Sequence, residues 1–372
     1  MKKIFTVLTS IALTFALSFS AAFANDDAFL KSQNYLKTIT LDSPDAVIAY
    51  EATGMEADYK ADALLNNFKE TDYTTASYGD LAKSIIAISL LGENPKDFNN
   101  TNLVEILENR VQEDGTLTND VNGGCGATIW TLMALETVNS PKVKAVADKL
   151  STMAMENGAY WYEYQGPNAD LDTTGWAMEA LSVAGRSTYK AAISKAYTFV
   201  QSKLNRTDGS YGIGWGGNAD TQSCVLEGLS TAGYTLDTNA YNYLLSYQNE
   251  DGTFNALNYS TGQLEPNAYA SVEGARALGV INNDSFVLKA RRDYTKTTTP
   301  VMTEPETPTK PSTPTTPGTT TPAVKPETTT TEPKKETVKV VNTGDNTNVM
   351  AYVVAAIAAV GVIVLVIKSK KK

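Results

Sequence analysis

An apolar segment that closes on Gly or Asn recurs six times along this 372-residue chain, and no other feature restricts its fold as strongly. The segments run Val47–Gly54, Ser84–Gly92, Thr128–Asn139, Thr174–Gly185, Ser223–Gly233 and Ser271–Gly279. Their closing residues are spaced by 38, 47, 46, 48 and 46 residues. Each segment is apolar on nearly every side, which predicts a helix buried all round. Between them lie amphipathic stretches: Leu103–Val111, Val143–Met155, Tyr189–Leu204 and Asn239–Tyr247. Leu103, Ile106, Leu107 and Val111 keep the i, i+3, i+4 spacing of a helix with one apolar stripe. The expected repeat is an outer helix, a loop, and an inner helix ended by Gly. Such a unit cannot bury its apolar face alone, so neighbours must stack. Six pairs predict an all-α fold, an (α/α)6-type toroid; an open solenoid of pairs is the alternative.

The loops between outer and inner helices carry a motif. Gln248-Asn249-Glu250-Asp251-Gly252-Thr253-Phe254 has the form Gln-x-x-Asp-Gly-x-aromatic. Asp114-Gly115-Thr116-Leu117 and Asp208-Gly209-Ser210-Tyr211 are shortened copies, and Asn157-Gly158-Ala159-Tyr160 is a more distant one. In phase with the helical period, these copies resemble the repeats of the terpenoid cyclase and protein prenyltransferase superfamily over most of residues 40–280. The resemblance implies the α/α toroid. Physically, Asp-Gly supplies a tight turn and the aromatic residue packs under the adjacent helix, so the motif by itself implies no chemistry.

The two ends read as export and anchoring signals. Residues 1–24 have a charged start at Lys2 and Lys3, an apolar run from Ile4, and Ala22-Phe23-Ala24 before Asn25, as in a secretory signal peptide. Val349–Ile367 is uncharged and long enough to cross a bilayer as a C-terminal apolar helix, and Lys368, Lys370, Lys371 and Lys372 follow it. A basic tail favours the cytoplasmic side, which places everything before Val349 outside. Val340-Val341-Asn342-Thr343-Gly344 resembles a sortase sorting signal in its x-Thr-Gly half, with Val-Val where that family has Leu-Pro. The resemblance implies cleavage after Thr343, before Gly344, and attachment to peptidoglycan. A plain membrane anchor is the alternative, and both put the chain on the extracellular face of a Gram-positive-type cell. Residues 295–340 are a disordered stalk of mostly Thr, Pro, Lys and Glu, with too few apolar residues to offset the entropy of ordering. At about 3.1 Å per residue in polyproline II, it reaches on the order of 100 Å. Residues 25–294 remain as the folded domain, with the sorting-signal region at 341–372.

Composition then excludes whole classes. The formal net charge of −10 is concentrated in the folded part, because the stalk and tail hold many of the lysines. That is the wrong sign for a nucleic-acid partner. The chain has no histidine, which removes His-based triads and His-containing zinc sites. No cofactor or metal is expected. Gly123-Gly124-Cys125-Gly126 resembles the Gly-Cys-Gly start of internal thioester domains, but Ala127-Thr128 stands where the partner Gln is needed. Cys125 and Cys224 are either one bridge or two buried thiols.

Three groups of residues are candidates for a site. Asp170-Leu171-Asp172-Thr173-Thr174 resembles the Asp-x-Asp-Asp-Thr motif of cyclases that protonate an alkene or epoxide. The resemblance makes Asp172 the acid and Asp170 its companion, with Thr173 in place of the last Asp. The plainer reading makes Asp172 an N-cap, repeated one period later by Asp220. Glu179, Glu227 and Glu273 coincide when the repeats are overlaid, either lining an acidic lumen or bonding amides in a neighbouring turn. Trp161, Tyr162 and Tyr164, with Trp176, Tyr211 and Trp215, form an aromatic group suited to sugars, flat macrocycles or isoprenoids. Ligand contact is assigned to these rings, to Asp220 and to Glu179. The function that best joins export to a toroid is a surface-displayed module capturing a small molecule such as a corrinoid, as the helical domain of vitamin B12 carriers in the same superfamily does. An enzyme, cyclase-like or glycan-active, is the second class, and a surface adhesin the third.

Overall fold

The computed structural model describes residues 27–57, 62–120, 123–162, 166–213 and 217–299. The expected signal peptide, the stalk from residue 300 on, the sorting signal with Thr343 and Gly344, and apolar helix 349–367 lie outside these residues, as do Tyr164 and Trp215. Among the described residues no helix is long and apolar enough to cross a membrane.

The helices start where short polar side chains can cap them. Ser43, Ser77, Asn102, Asp170, Asn218, Asp237, Asn267 and Ser285 each accept a backbone N–H from the first turn of the helix that follows. The elements are α1 (Asp27–Leu36), α2 (Pro44–Ala52), α3 (Asp62–Glu70), α4 (Tyr78–Leu90), α5 (Leu103–Asn109), α6 (Gly126–Thr137) and α7 (Val143–Met153). Then follow α8 (Leu171–Gly185), α9 (Lys190–Ser202), α10 (Ala219–Thr231), α11 (Thr238–Leu245), β1 (Phe254–Asn258), β2 (Gln263–Asn267), α12 (Ala268–Asn282) and α13 (Phe286–Thr298). The fold is mostly α. The expectation of an all-α chain needs one amendment: β1 and β2 form an antiparallel hairpin, paired from Phe254↔Asn267 to Asn258↔Gln263. A left-handed Gly262, at φ 70°, helps the chain reverse between them.

The even-numbered helices are the apolar ones. Every residue of α6 is buried, and α8, α10 and α12 are buried along most of their length. Each packs on the next, α2 on α4, α4 on α6, α6 on α8, α8 on α10 and α10 on α12, and α12 packs back on α2. The odd-numbered helices are amphipathic and lie against them: α5 on α4 and α6, α7 on α6 and α8, α9 on α8, α11 on α10, α1 on α12 and α2. Each buried Leu or Ile adds about 1.5–3 kcal/mol, so the core is distributed around the whole circuit.

The Asp-Gly turns hold one outer helix to the next. Asp208 and Asp251 each accept the N–H two residues on, from Ser210 and Thr253. The glycine then presses on the following outer helix: a Cβ at Gly209 would lie 2.2 Å from the Asn239 backbone. A Cβ at Gly252 would lie 2.1 Å from the Lys31 carbonyl oxygen on α1. The last turn thus docks on the first helix, helped by Gln248, whose amide donates to the Ala28 carbonyl and the Ser32 hydroxyl. The motif's aromatic residues, Tyr160, Tyr211 and Phe254, are fully buried. Their backbone N–H groups donate to Thr174, Gln222 and Ser271, one turn into each inner helix.

α13 stands apart from this alternation and continues four residues beyond Tyr294, where the folded part was expected to end. It packs on α2, α4 and α6. Two of its cations meet inner-helix carboxylates: Lys289 with Glu51 at 2.5 Å, and Arg291 with Glu136. The Phe286 ring stacks on Trp130 at 6.2 Å.

Candidate functional site

The starts of α8, α10 and α12 bring polar groups together. The caps are Asp170, Asn218 and Asn267, which accept N–H groups at 2.7, 2.8 and 3.0 Å. Two residues beyond each cap stand Asp172, Asp220 and Tyr269. The capping role expected of Asp172 therefore belongs to Asp170, and both Asp172 and Asp220 sit half-buried within a first turn. A carboxylate there interacts favourably with the helix dipole, but these two also face each other and Glu273. Burial, together with Asp170 nearby, pushes the Asp172 carboxyl up to about 8, against a hydrogen bond from Thr221. Burial and the neighbouring Glu273 raise Asp220 to about 6, and its Oδ1 has no hydrogen-bond partner among the described residues. Cys224, one turn after Asp220, donates its thiol to Glu273 at 3.7 Å. Burial and Glu273 hold that thiol well above its ordinary range.

Deeper along the same helices the three overlaid glutamates find side-chain partners, not turn amides. Arg276, only 1% exposed, gives Glu227 two bonds at 2.8 and 3.2 Å and approaches Glu273 at 3.6 Å. Arg276 carries its charge at every accessible pH, and burial pushes the Glu227 carboxyl up to about 8 against that charge and these two bonds. Glu179 accepts from the Ser285 hydroxyl at 2.8 Å, at the start of α13. Burial lifts its carboxyl to about 7, opposed by that bond and by Arg276. One guanidinium thus serves a group of buried acids. Cys125 and Cys224 are both buried, with no disulfide between them.

A cleft of about 690 Å³ opens beside this region, lined by the starts of α4 and α6 and by the segments that lead into them. Trp130 on α6 forms its floor, 5% exposed, with its ring 5.8 Å from that of Trp176 and the Lys83 ammonium 4.6 Å above it. Tyr78 and Tyr162 are half-buried in its walls. Of the rings expected to meet a ligand, Tyr162 lines this cleft and Trp161 is half-buried beside it in sequence. Trp176 is buried behind Trp130, and its indole N–H has no partner among the described residues. Tyr211 is fully buried as a motif aromatic and does not line this cleft. A second cavity, about 1070 Å³, lies at the other ends of α8, α10 and α12, bounded by Arg186, Lys190, Tyr234 and Ser285.

Sequence reasoning missed Trp130, Tyr78, Tyr269 and Arg276. Trp130 was lost among the apolar residues of its segment. Arg276, at the i+3 position from Glu273, was the detectable signal, since a lone cation in an otherwise apolar helix needs a partner. Among the described residues no three His, Cys, Asp or Glu side chains are disposed to hold a metal ion.

Comparison with known proteins adds little. No protein-family profile matches the chain, and no curated protein does. A crystal structure of a protein from Actinoplanes is similar over 76% of this chain and 99% of its own length, at 12% identity and a TM-score of 0.43.

Proposed function

We propose that this chain is an extracellular binding module, held at the cell envelope by its C-terminal segment and built on an (α/α)6-type toroid. The closed order of inner helices, from α2 round to α12 and back, supports the toroid. So does the docking of the Gly252 turn on α1, which joins the last repeat to the first. In this reading α13 fills one end of the ring, and the cleft over Trp130 takes the ligand. The observation that carries the proposal is that cleft. It has aromatic rings for a flat or ring-shaped molecule and polar edges to orient it, and its about 690 Å³ lies within the range of small-molecule sites. Corrinoids, isoprenoids and short glycans are the classes to present. Native mass spectra of the full chain, mixed with each class in turn, are expected to show one retained molecule, and Tyr162→Ala to weaken its retention. A folded chain that retains none of them would contradict the reading.

A second reading rests on Asp172. A carboxyl that keeps its proton near neutral pH is what a general acid requires. Under this reading a substrate enters from the starts of α8 and α10, and Asp172→Asn abolishes turnover while leaving the fold intact. Under the binding reading, the same variant leaves ligand affinity in the cleft unchanged.

A further inference from the structure

We infer that the cleft over Trp130 is a carbohydrate site, built for a short neutral oligosaccharide; this rests on the binding reading above and names its ligand class. The argument begins with charge. Two cations reach the cleft, and the protein already satisfies both. Arg110 donates to the carbonyls of Ala76, Tyr73 and Thr74 at 2.6, 2.7 and 2.9 Å, with its guanidinium over the Tyr78 ring. Lys83 is paired with Asp45 at 2.9 Å. Neither is placed to meet a phosphate or carboxylate on a ligand, and the acidic chain repels polyanions.

What the cleft does offer is hydroxyl chemistry. Asn109 and Asn119 are exposed at its rim, with Asp80 and the half-buried Asp120. Amides donate and accept in one plane, and carboxylates accept through two oxygens, so both suit pairs of adjacent hydroxyl groups. Thr75 and Ser77 line the same rim with hydroxyls that donate to Asp72 and Asp80, so what they offer a ligand is acceptor oxygens. The half-buried ring of Tyr162 supplies flat apolar surface for the C–H face of a sugar ring. An isoprenoid offers no hydrogen-bonding group to the exposed amides of Asn109 and Asn119 and would desolvate them at a cost for each. A saccharide satisfies the rim and the ring together.

The test is calorimetric titration of the full chain with neutral tetrasaccharides of glucose, mannose, galactose and N-acetylglucosamine, and with tetragalacturonate as the charged control. At least one neutral sugar is expected to bind saturably and more tightly than tetragalacturonate. Asn109→Ala and Asn119→Gly should each weaken it about tenfold with melting temperature unchanged, as expected for one lost hydrogen-bonding group. Glycine is chosen at 119 because that residue has φ 57° and glycine keeps the backbone there unstrained. Absence of binding by every neutral sugar, or binding insensitive to both variants, would overturn the inference. Native mass spectra of the same preparation separate the two levels. A retained corrinoid or isoprenoid sinks the sugar assignment alone, whereas a chain that retains nothing sinks the binding reading with it.

Discussion

The folded domain should become less stable as pH rises from 5 to 8, the reverse of what paired surface carboxylates produce. Burial and mutual repulsion hold Asp172 at about 8, Glu179 at about 7 and Asp220 at about 6. In the unfolded chain such groups titrate near 4. Between those values the folded state binds protons that the unfolded state has released. Linkage then makes stability fall with pH by ~1.4 kcal/mol per pH unit for each extra proton held. The contribution is fully present below about pH 4 and is lost as pH climbs through the folded-state values. Treated as independent, the three would be worth ~12 kcal/mol, most of the ~5–15 kcal/mol a domain possesses, so they are taken to share protons. One net proton held across pH 5 to 7 gives a loss of ~3 kcal/mol.

Glu51 and Glu136 are raised by burial and act with the same sign. Asp114, Asp208 and Asp251 are lowered by the hydrogen bonds of their turns, so they act below about pH 4 and leave the window untouched. Urea unfolding of the full chain, followed by tryptophan fluorescence and circular dichroism at pH 5, 6, 7 and 8, measures the trend. Asp172→Asn should flatten the slope and exceed the wild type in stability at pH 8. A stability that is constant or increases between pH 5 and 8 would refute the reasoning.

Arg276→Met leaves Glu227 and Glu273 buried without their cation and should cost about 3–5 kcal/mol in urea unfolding, with Glu227→Gln in the same chain recovering part of it. Asp170→Ala removes the α8 cap and should cost about 1 kcal/mol, whereas Asp172→Asn keeps the cap and should not destabilise the domain at pH 7. Gly252→Ala drives a Cβ into the Lys31 carbonyl at a left-handed residue, and thermal unfolding should show a loss of about 2–4 kcal/mol.

The helical character of the chain was legible because burial writes it twice, once in apolar segments and once in their glycine ends. Ser84–Gly92 and Thr174–Gly185 fall within or at the ends of α4 and α8, whose true starts lie three to six residues earlier, at their polar caps. α1 and α3 were not located because their apolar residues are few and interrupted by polar ones, as in Leu64-Leu65-Asn66-Asn67-Phe68. The β1–β2 hairpin escaped notice because no other loop among the described residues carries one. Its alternation is short, and Leu257, Tyr259 and Leu264 remain exposed rather than marking a core face. α13 was not picked out as a helix, because the expected boundary after Tyr294 cuts through it and leaves its last four residues in the stalk. The structure sets Lys289 and Arg291 against buried inner-helix glutamates.

For the site, spacing along one helix was informative and partners across helices were not. The recurrence of Asp172 and Asp220 was visible, but it pointed to a cap, and the cap is two residues earlier. The coincidence of Glu179, Glu227 and Glu273 was equally visible. That Arg276 and Ser285 answer two of them depends on helices 49 and 106 residues away, which no local pattern encodes. The cleft itself is assembled from the starts of α4 and α6 and the segments before them. Its aromatic floor, Trp130, looks in sequence like any other core residue.

The claim that this is a binding module is tested most directly by native mass spectrometry of the full chain, against corrinoids, isoprenoids and neutral oligosaccharides. One ligand class retained at one molecule per chain, and released by Tyr162→Ala, is the predicted result. A folded chain that retains none of the three, or one whose retention ignores changes at the cleft, would contradict the account.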